Sequence, residues 1–323
     1  MDVVNIAFAG CGPNARGHMS ALGQLAEARI VAVCDLVKDL ARRAAELTGA
    51  EPYTDLGRML ERDDLDAVYL SLPVFAHGEP ELAVVRRGLP FFVEKPVARS
   101  MATATQVLKA IRRQHLITCV GYQLRYGAGT VAARRRLQNE SIDLVVGRYW
   151  CGSGRCDPKS WQLKFDLSGG QILEQATHTL DMMRYLCGPV TEVVSRAASR
   201  QLMQIDCPDV HAVLLSFASG CIGSLTTSWV YDPDDWSHAN VLHITYADKL
   251  LRWTSDRTTL SGPGSRNQPQ AADGRQIDRV FVDAVRRGDG SEILSPYADG
   301  VKSLELALAV NESARTGQPV RLD

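Results

Sequence analysis

The stretch Val3-Val4-Asn5-Ile6-Ala7-Phe8-Ala9-Gly10-Cys11-Gly12-Pro13-Asn14-Ala15 decides the fold. Residues 3–9 are a short, nearly continuous apolar run, as expected of a strand buried on both faces. Gly10 to Ala15 follows without a spacer, and a helical pattern then runs to about Ala26. This is G-x-G-x-x-A in a strand–turn–helix setting. Gly10 permits the tight turn, Gly12 lets the backbone approach a pyrophosphate, and Ala15 keeps helix and strand close. The helix N-terminus faces the phosphates. A second strand, Ile30-Val31-Ala32-Val33-Cys34, ends in Asp35. An acid at that distance grips the adenosine ribose hydroxyls. Its charge repels a 2′-phosphate, so the sequence favours NAD over NADP. Lys38 and Arg42 nearby keep NADP open.

Working outward, strands and helices alternate. A helix stripe over Val37–Leu47 closes at Gly49, and the strand Leu65–Leu72 is ended by Pro73, with His77 just beyond. Leu82–Arg87 reads as a helix, Ser100 to about Arg113 as another, and Ile117–Tyr122 as a strand. This alternation predicts a doubly wound parallel sheet. Between those elements lies Phe91-Phe92-Val93-Glu94-Lys95-Pro96. Three apolar residues end a buried strand, and Pro96 cannot extend the ladder. Lys95 therefore stands at the carboxyl edge, where open α/β sheets bind ligands. A lone lysine at a strand–loop junction is ordinarily just solvated, so this reading leans on the rest of the chain.

The pattern changes near Gly127. After a helix over Ala128–Leu137, strands are expected at Leu144–Trp150, Glu192–Ala197, Val210–Phe217, Cys221–Trp229, Val241–Tyr246 and Leu250–Thr254. Ala218-Ser219-Gly220 and Ala247-Asp248 read as hairpin connections. The second half is thus expected to be a mainly antiparallel sheet. Ser255–Gly274 reads as a long polar loop, followed by helices over Ile277–Arg287 and Tyr297–Thr316. Within it, Gly169-Gly170 opens a helix expected to reach Cys187. Glu174, His178 and Asp181 at i, i+4, i+7 share one face, extended by Tyr185. The remaining positions are mostly apolar, so this polar row faces partners or a cavity. Histidine is the usual general base near neutral pH. A metal pair on one helix turn lacks an evident third ligand.

At 323 residues two domains are expected: 1–124 binding a dinucleotide and 125–323 binding substrate, with the C-terminal helix packing back on the first. Apolar content of 45% and charged content of 23% describe a globular protein. A net charge of −1 leaves no electrostatic footprint for nucleic acid or an anionic membrane. No apolar run is long enough to span a bilayer, and the first residues do not read as a signal peptide. The eight cysteines form no C-x-x-C pair and are expected to be reduced thiols in a cytoplasmic protein. Cys151 and Cys156 are close, but no second pair completes a zinc site, so no metal is expected.

In this order and spacing, Gly10-x-Gly12-x-x-Ala15, Asp35, His77 after Pro73, Glu94-Lys95-Pro96, and Gly169-Gly170 leading to Glu174-x-x-x-His178-x-x-Asp181 resemble one family over nearly the whole chain. It is the glucose–fructose oxidoreductase, inositol dehydrogenase and rhizopine-catabolism family. The resemblance implies a Rossmann domain followed by an α/β domain with an open, mainly antiparallel sheet that often forms a subunit interface. A homodimer or homotetramer is therefore expected. It implies NAD(P)-dependent hydride transfer at a secondary hydroxyl of a sugar, sugar derivative or cyclitol. The Lys95 position usually contacts the reacting hydroxyl and the His178 position takes its proton. Glu174 stands where aspartate is usual, and Ala176 where glycine is common. Cofactor contacts are expected from Gly10, Gly12, Pro13, Asn14, Ala15, Asp35, Ser71, Leu72, His77, Glu94, Lys95 and Gln123. Substrate contacts are expected from Lys95, Gln123, Arg125, Trp161, Glu174, His178 and Tyr231, with Trp236 as a further aromatic wall. Leu124 replaces a residue that is basic in the inositol enzymes, which argues against inositol itself. Two rivals accompany this reading. One is a redox-neutral enzyme (epimerase, lyase or glycoside hydrolase) using NAD transiently. The other is a non-catalytic sensor, against which the Lys95 and His178 pair argues.

Overall fold

Strand β1 (Val4–Ala9) is buried on both faces except at Asn5, as its apolar composition requires. In the computed structural model, which describes residues 3–152, 160–202, 205–231, 239–263, 269–270 and 274–322, the chain alternates as its periodicity predicts. After β1 come α1 (Pro13–Leu22), β2 (Ala28–Cys34), α2 (Lys38–Thr48), β3 (Glu51–Tyr53) and α3 (Leu56–Leu60). β4 (Ala67–Leu70), α4 (Glu79–Arg86), β5 (Phe91–Val93), α5 (Met101–Gln114) and β6 (Thr118–Val120) follow. Among the described residues these strands form one six-stranded sheet in the order β3-β2-β1-β4-β5-β6, with every pair parallel. The order reverses at β1, and in such a sheet the crevice at the carboxyl ends of β1 and β4 is where ligands bind.

Several boundaries differ from the sequence expectation. α1 stops at Leu22 because Gly23 follows, its N–H reaching back to the Met19 carbonyl. α4 begins three residues early, at Glu79, because the Glu81 carboxylate accepts the Gly78 N–H at 2.6 Å and caps the first turn. β3 and α3 were not expected, being too short for their periodicity to show.

The second half contains α6 (Ala128–Leu137), β7 (Ile142–Trp150), α7 (Phe165–Ser168), α8 (Thr177–Cys187), β8 (Val190–Ala198), β9 (Val210–Phe217) and β10 (Ile222–Ser228). Then come β11 (Asn240–Tyr246), β12 (Lys249–Trp253), β13 (Thr258–Ser261), β14 (Pro269–Gln270), α9 (Ile277–Arg287), α10 (Tyr297–Thr316) and β15 (Val320–Arg321). The second sheet runs β14-β13-β12-β11-β7-β10-β9-β8-β15 and is antiparallel, apart from the parallel pair β7–β10. The expected polar loop 255–274 is corrected here. Its Thr258–Ser261 segment pairs with β12, the apolar Leu260 being buried amid polar neighbours that hid it. α8 lies close on this sheet. A Cβ added at Gly147 would sit 3.0 Å from Met183 Sδ, so glycine is what lets helix and strand meet. The other face of the sheet leaves Leu144, Val146, Leu214, Ile222 and Leu250 exposed.

The chain divides into two units, residues 1–122 with 276–301, and 123–275 with 302–323. The first is therefore discontinuous, because α9 packs on it. Its core is an aromatic stack. Phe8, Tyr69 and Phe92 lie ring on ring at 4.7 Å, and Phe281 of α9 meets Tyr69 and Phe92 edge-on at 5.5 and 6.0 Å. Each such pair adds about 0.5–1.5 kcal/mol beyond the area it buries. No helix among the described residues is long and apolar enough to cross a membrane.

Candidate active site

In the first unit the residues just beyond four strands are locked side by side. Gly10 N–H donates to Cys34 O at 2.8 Å, Ser71 to Ala9 O at 2.8 Å, Glu94 to Leu70 O at 2.9 Å, and Gly121 to Val93 O at 2.9 Å. This brings Gly10, Asp35, Ser71, Leu72, Glu94 and Lys95 to one edge of the sheet, as the sequence predicts. Gly10 has φ +91°, and a Cβ there would lie 2.1 Å from the Ser71 carbonyl oxygen, so the turn admits only glycine. Gly12 is its opposite. It caps α1 with extended angles, no side chain caps the helix, and an added Cβ would meet nothing within 4 Å. Pro13 and Asn14 are exposed beside it and Ala15 is buried. A helix N-terminus with open space before it fits a dinucleotide pyrophosphate.

Asp35 holds the loop in place, accepting the Cys11 N–H at 2.9 Å and the Val37 N–H at 2.8 Å. Burial and this carboxylate push the Cys11 thiol up to about 12, so it stays neutral. Arg42, considered above as a 2′-phosphate ligand, is paired along α2 with Glu46 at 2.5 Å and Asp39 at 3.8 Å. His77 is set back. It is buried with its Nδ1 on Glu81 at 2.5 Å.

Glu94 is nine-tenths buried, and the Lys95 N–H donates to its Oε2 at 3.2 Å. Gly121 makes room for it, since a Cβ there would approach Oε2 to 2.9 Å. Its other oxygen accepts from His18, a residue the sequence reading missed. His18 lies on α1, three positions past Ala15, between two carboxylates. Nε2 bonds Glu94 Oε1 at 3.0 Å and Nδ1 bonds Asp278 Oδ1 of α9 at 2.6 Å. Burial pulls its pKa down, but these two partners outweigh burial and raise it to about 10. The signal was hidden because Asp278 is 260 residues away in sequence.

In the second unit the helix expected from Gly169-Gly170 does reach Cys187, with a π-turn inside it. Gly169 and Gly170 both have positive φ, then Ile172–Ala176 forms a π-turn before α8. The wider turn takes in Glu174, while His178 and Asp181 both follow it in α8, one turn apart. Asp181 is buried in a structural pair, its oxygens accepting from Arg125 Nε at 2.8 Å and Nη2 at 2.6 Å, with Ser303 donating at 2.5 Å. Arg125, expected at the substrate, is itself buried and stacked over Tyr185 at 4.7 Å. Glu174 instead accepts from Gln162 Nε2 at 3.0 Å, next to the half-buried Trp161.

Tyr149 of β7 also lies by Glu174. Burial, with Cys151 and Glu174 alongside, holds its hydroxyl well above the usual range. The alternation of β7 could have found it. Tyr231 is half-exposed and meets Trp150 edge-on at 6.1 Å. Successive strand residues face opposite ways, so Tyr231 lies across the sheet from Tyr149. Gln123 is exposed in a one-turn 3-10 helix, and Trp236 and Cys156 lie outside the described residues.

Two family profiles match the chain. One is an oxidoreductase family with an NAD-binding Rossmann fold, over residues 4–122, and the other the GFO/IDH/MocA C-terminal domain, over 138–245. The chain belongs to this oxidoreductase family. Its class is that of NAD-dependent dehydrogenases acting on CH–OH groups. A D-apiose dehydrogenase of Paraburkholderia graminis is 26% identical over 98% of this chain and 89% of its own length. The scyllo-inositol 2-dehydrogenase (NAD(+)) of Bacillus subtilis is 26% identical over 92% of this chain and 89% of its own. Among solved structures, the WlbA dehydrogenase of Bordetella pertussis in complex with NADH and UDP-GlcNAcA has a TM-score of 0.87. It is 22% identical over 99% of both chains, a likeness of fold.

Proposed function

We propose that this protein oxidises a secondary hydroxyl of a sugar, sugar derivative or cyclitol, with NAD in preference to NADP. The observation that carries the reading is the edge of the first sheet, where an open helix N-terminus at Gly12, the Asp35 carboxylate and the Glu94-Lys95 pair stand together. Asp35 and the self-paired Arg42 disfavour a 2′-phosphate. Bound NAD supplies the hydride acceptor. His178 would take the hydroxyl proton as the carbon-bound hydrogen leaves with its electron pair as hydride, so that the carbinol becomes a carbonyl. Lys95 donates a hydrogen bond to the oxygen as its negative charge grows. Glu174, oriented by Gln162, borders the substrate. The open apolar face around Leu144, Val146, Leu214 and Ile222 joins subunits into a homodimer or homotetramer.

The test is a screen of aldoses, sugar acids, cyclitols and glycosides with NAD and with NADP, following absorbance of the reduced cofactor. Reduction of NAD by at least one polyol or sugar is expected. Turnover of a sugar without net reduced cofactor, with NAD retained through purification, would replace this reading with a redox-neutral one. Leu214→Glu is expected to shift the particle to monomer mass by light scattering, and an unchanged mass rules out this face as the interface.

A further inference from the structure

His18 reaches well beyond its own helix. It ties three elements of the first unit together, α1 by its own backbone, the end of β5 through Glu94, and α9 through Asp278. Both ring nitrogens face carboxylate oxygens. An ionised carboxylate only accepts, so both nitrogens must donate and the ring is an imidazolium. The groups facing it are Glu94 from the end of β5, Asp278 from α9, and Tyr69 from β4, whose hydroxyl donates to Asp278 at 3.2 Å. The aromatic rings of Phe92 and Tyr69 lie 4.7 and 5.7 Å from the imidazole, which is 14% exposed. In such surroundings a carboxylate stripped of its partner is costly, and it protonates or moves.

Glu94 is thus gripped from two sides. Oε1 is held by the His18 imidazolium, and Oε2 by the Lys95 N–H in the space that Gly121 leaves. We infer that His18 is a positioning residue of the active site: it fixes the Glu94 carboxylate and, through it, the main chain of Lys95 at the carboxyl edge of the first sheet. The inference rests on the proposed dinucleotide site at that edge. It gives α1 a second task beyond facing phosphate, since the same helix sets the neighbouring strand end.

The test is a double-mutant cycle of His18→Leu, Glu94→Gln and the double variant, read by NADH fluorescence titration, which needs no known substrate. Thermal unfolding identifies the folded variants, and His18→Gln, which keeps one donor, replaces His18→Leu if the latter does not fold. If His18 acts through Glu94, each single change weakens NADH by about tenfold and the double change weakens it no further. Histidine ¹⁵N spectra of the wild type, assigned with His18→Gln, are expected to show one ring doubly protonated up to pH 9. Additive losses, unchanged NADH affinity in folded variants, or a His18 ring that titrates near neutrality would each overturn the inference. Wild-type NADH binding with additive losses removes the role of His18 alone. A wild type that binds no NADH removes the cofactor reading itself.

Discussion

The two loop glycines give a matched perturbation, because they are glycine for opposite reasons. In Gly10→Ala the new Cβ lies 2.1 Å from the Ser71 carbonyl oxygen, at φ +91°. The left-handed backbone alone costs an alanine about 1–2 kcal/mol. Relieving the contact means prising the β1 loop from the end of β4, an overpacking cost of about 1–3 kcal/mol. Together roughly 2–5 kcal/mol is a large share of the 5–15 kcal/mol that stabilises a typical domain. The midpoint of thermal unfolding should fall by roughly 5–15 °C. Gly12→Ala introduces no such conflict, since φ is −69° and nothing lies within 4 Å of the new atom. Its unfolding midpoint should match the wild type. What the methyl occupies is the space before α1, so NADH affinity should fall by about 10- to 100-fold, equivalent to about 1.4–2.8 kcal/mol. Calorimetry and NADH titration on both variants decide it. If Gly12→Ala is destabilised as much as Gly10→Ala, or binds NADH like the wild type, the division of labour between the two glycines is wrong.

Lys95→Ala and His178→Ala should each lower turnover on the substrate found by screening by about two or more powers of ten with NADH affinity kept; wild-type turnover in either removes its assigned role. Arg125→Met leaves the buried Asp181 carboxylate to Ser303 and to Arg184 at 3.7 Å, and should cost about 2–4 kcal/mol in urea unfolding, whereas a loss confined to substrate KM would return Arg125 to the substrate. Burial lowers the His211 pKa to about 4, so the folded state resists a proton that the unfolded chain accepts below about 6.5. Stability is then complete above that pH and declines as pH falls from 6.5 to 4, by about 3 kcal/mol in all. His211→Gln should flatten that part of the pH profile, and an unchanged slope would refute the cause.

The first sheet was legible because its signals are local. A seven-residue apolar run, glycines at fixed offsets and an acid after the next strand are all read within one short window. The same holds for Lys95, whose place at the edge follows from Pro96. What escaped depends on register or on distant partners. Gly169-Gly170 and the i, i+4, i+7 spacing gave no hint of the π-turn at Ile172–Ala176, nor of Arg125 as the partner of Asp181, 56 residues away. His18 looked like any polar residue on a helix until α9 brought Asp278 to it. Tyr231 was chosen for its ring, but ring chemistry says nothing of which side of a sheet it reaches.

The return of α9 bears on how the protein is made. The ribosome delivers every strand of the first sheet by Val120, yet Phe281, which covers Tyr69 and Phe92, comes only after a further stretch of chain. Residues 123–275 are made in between, which at roughly 5–20 residues per second takes about 8–30 s. Through that interval the nascent sheet shows water its aromatic face, and His18 has no Asp278. A truncated product ending near residue 122 would stay in that condition permanently, a ready client for chaperones rather than a free-standing dinucleotide-binding module.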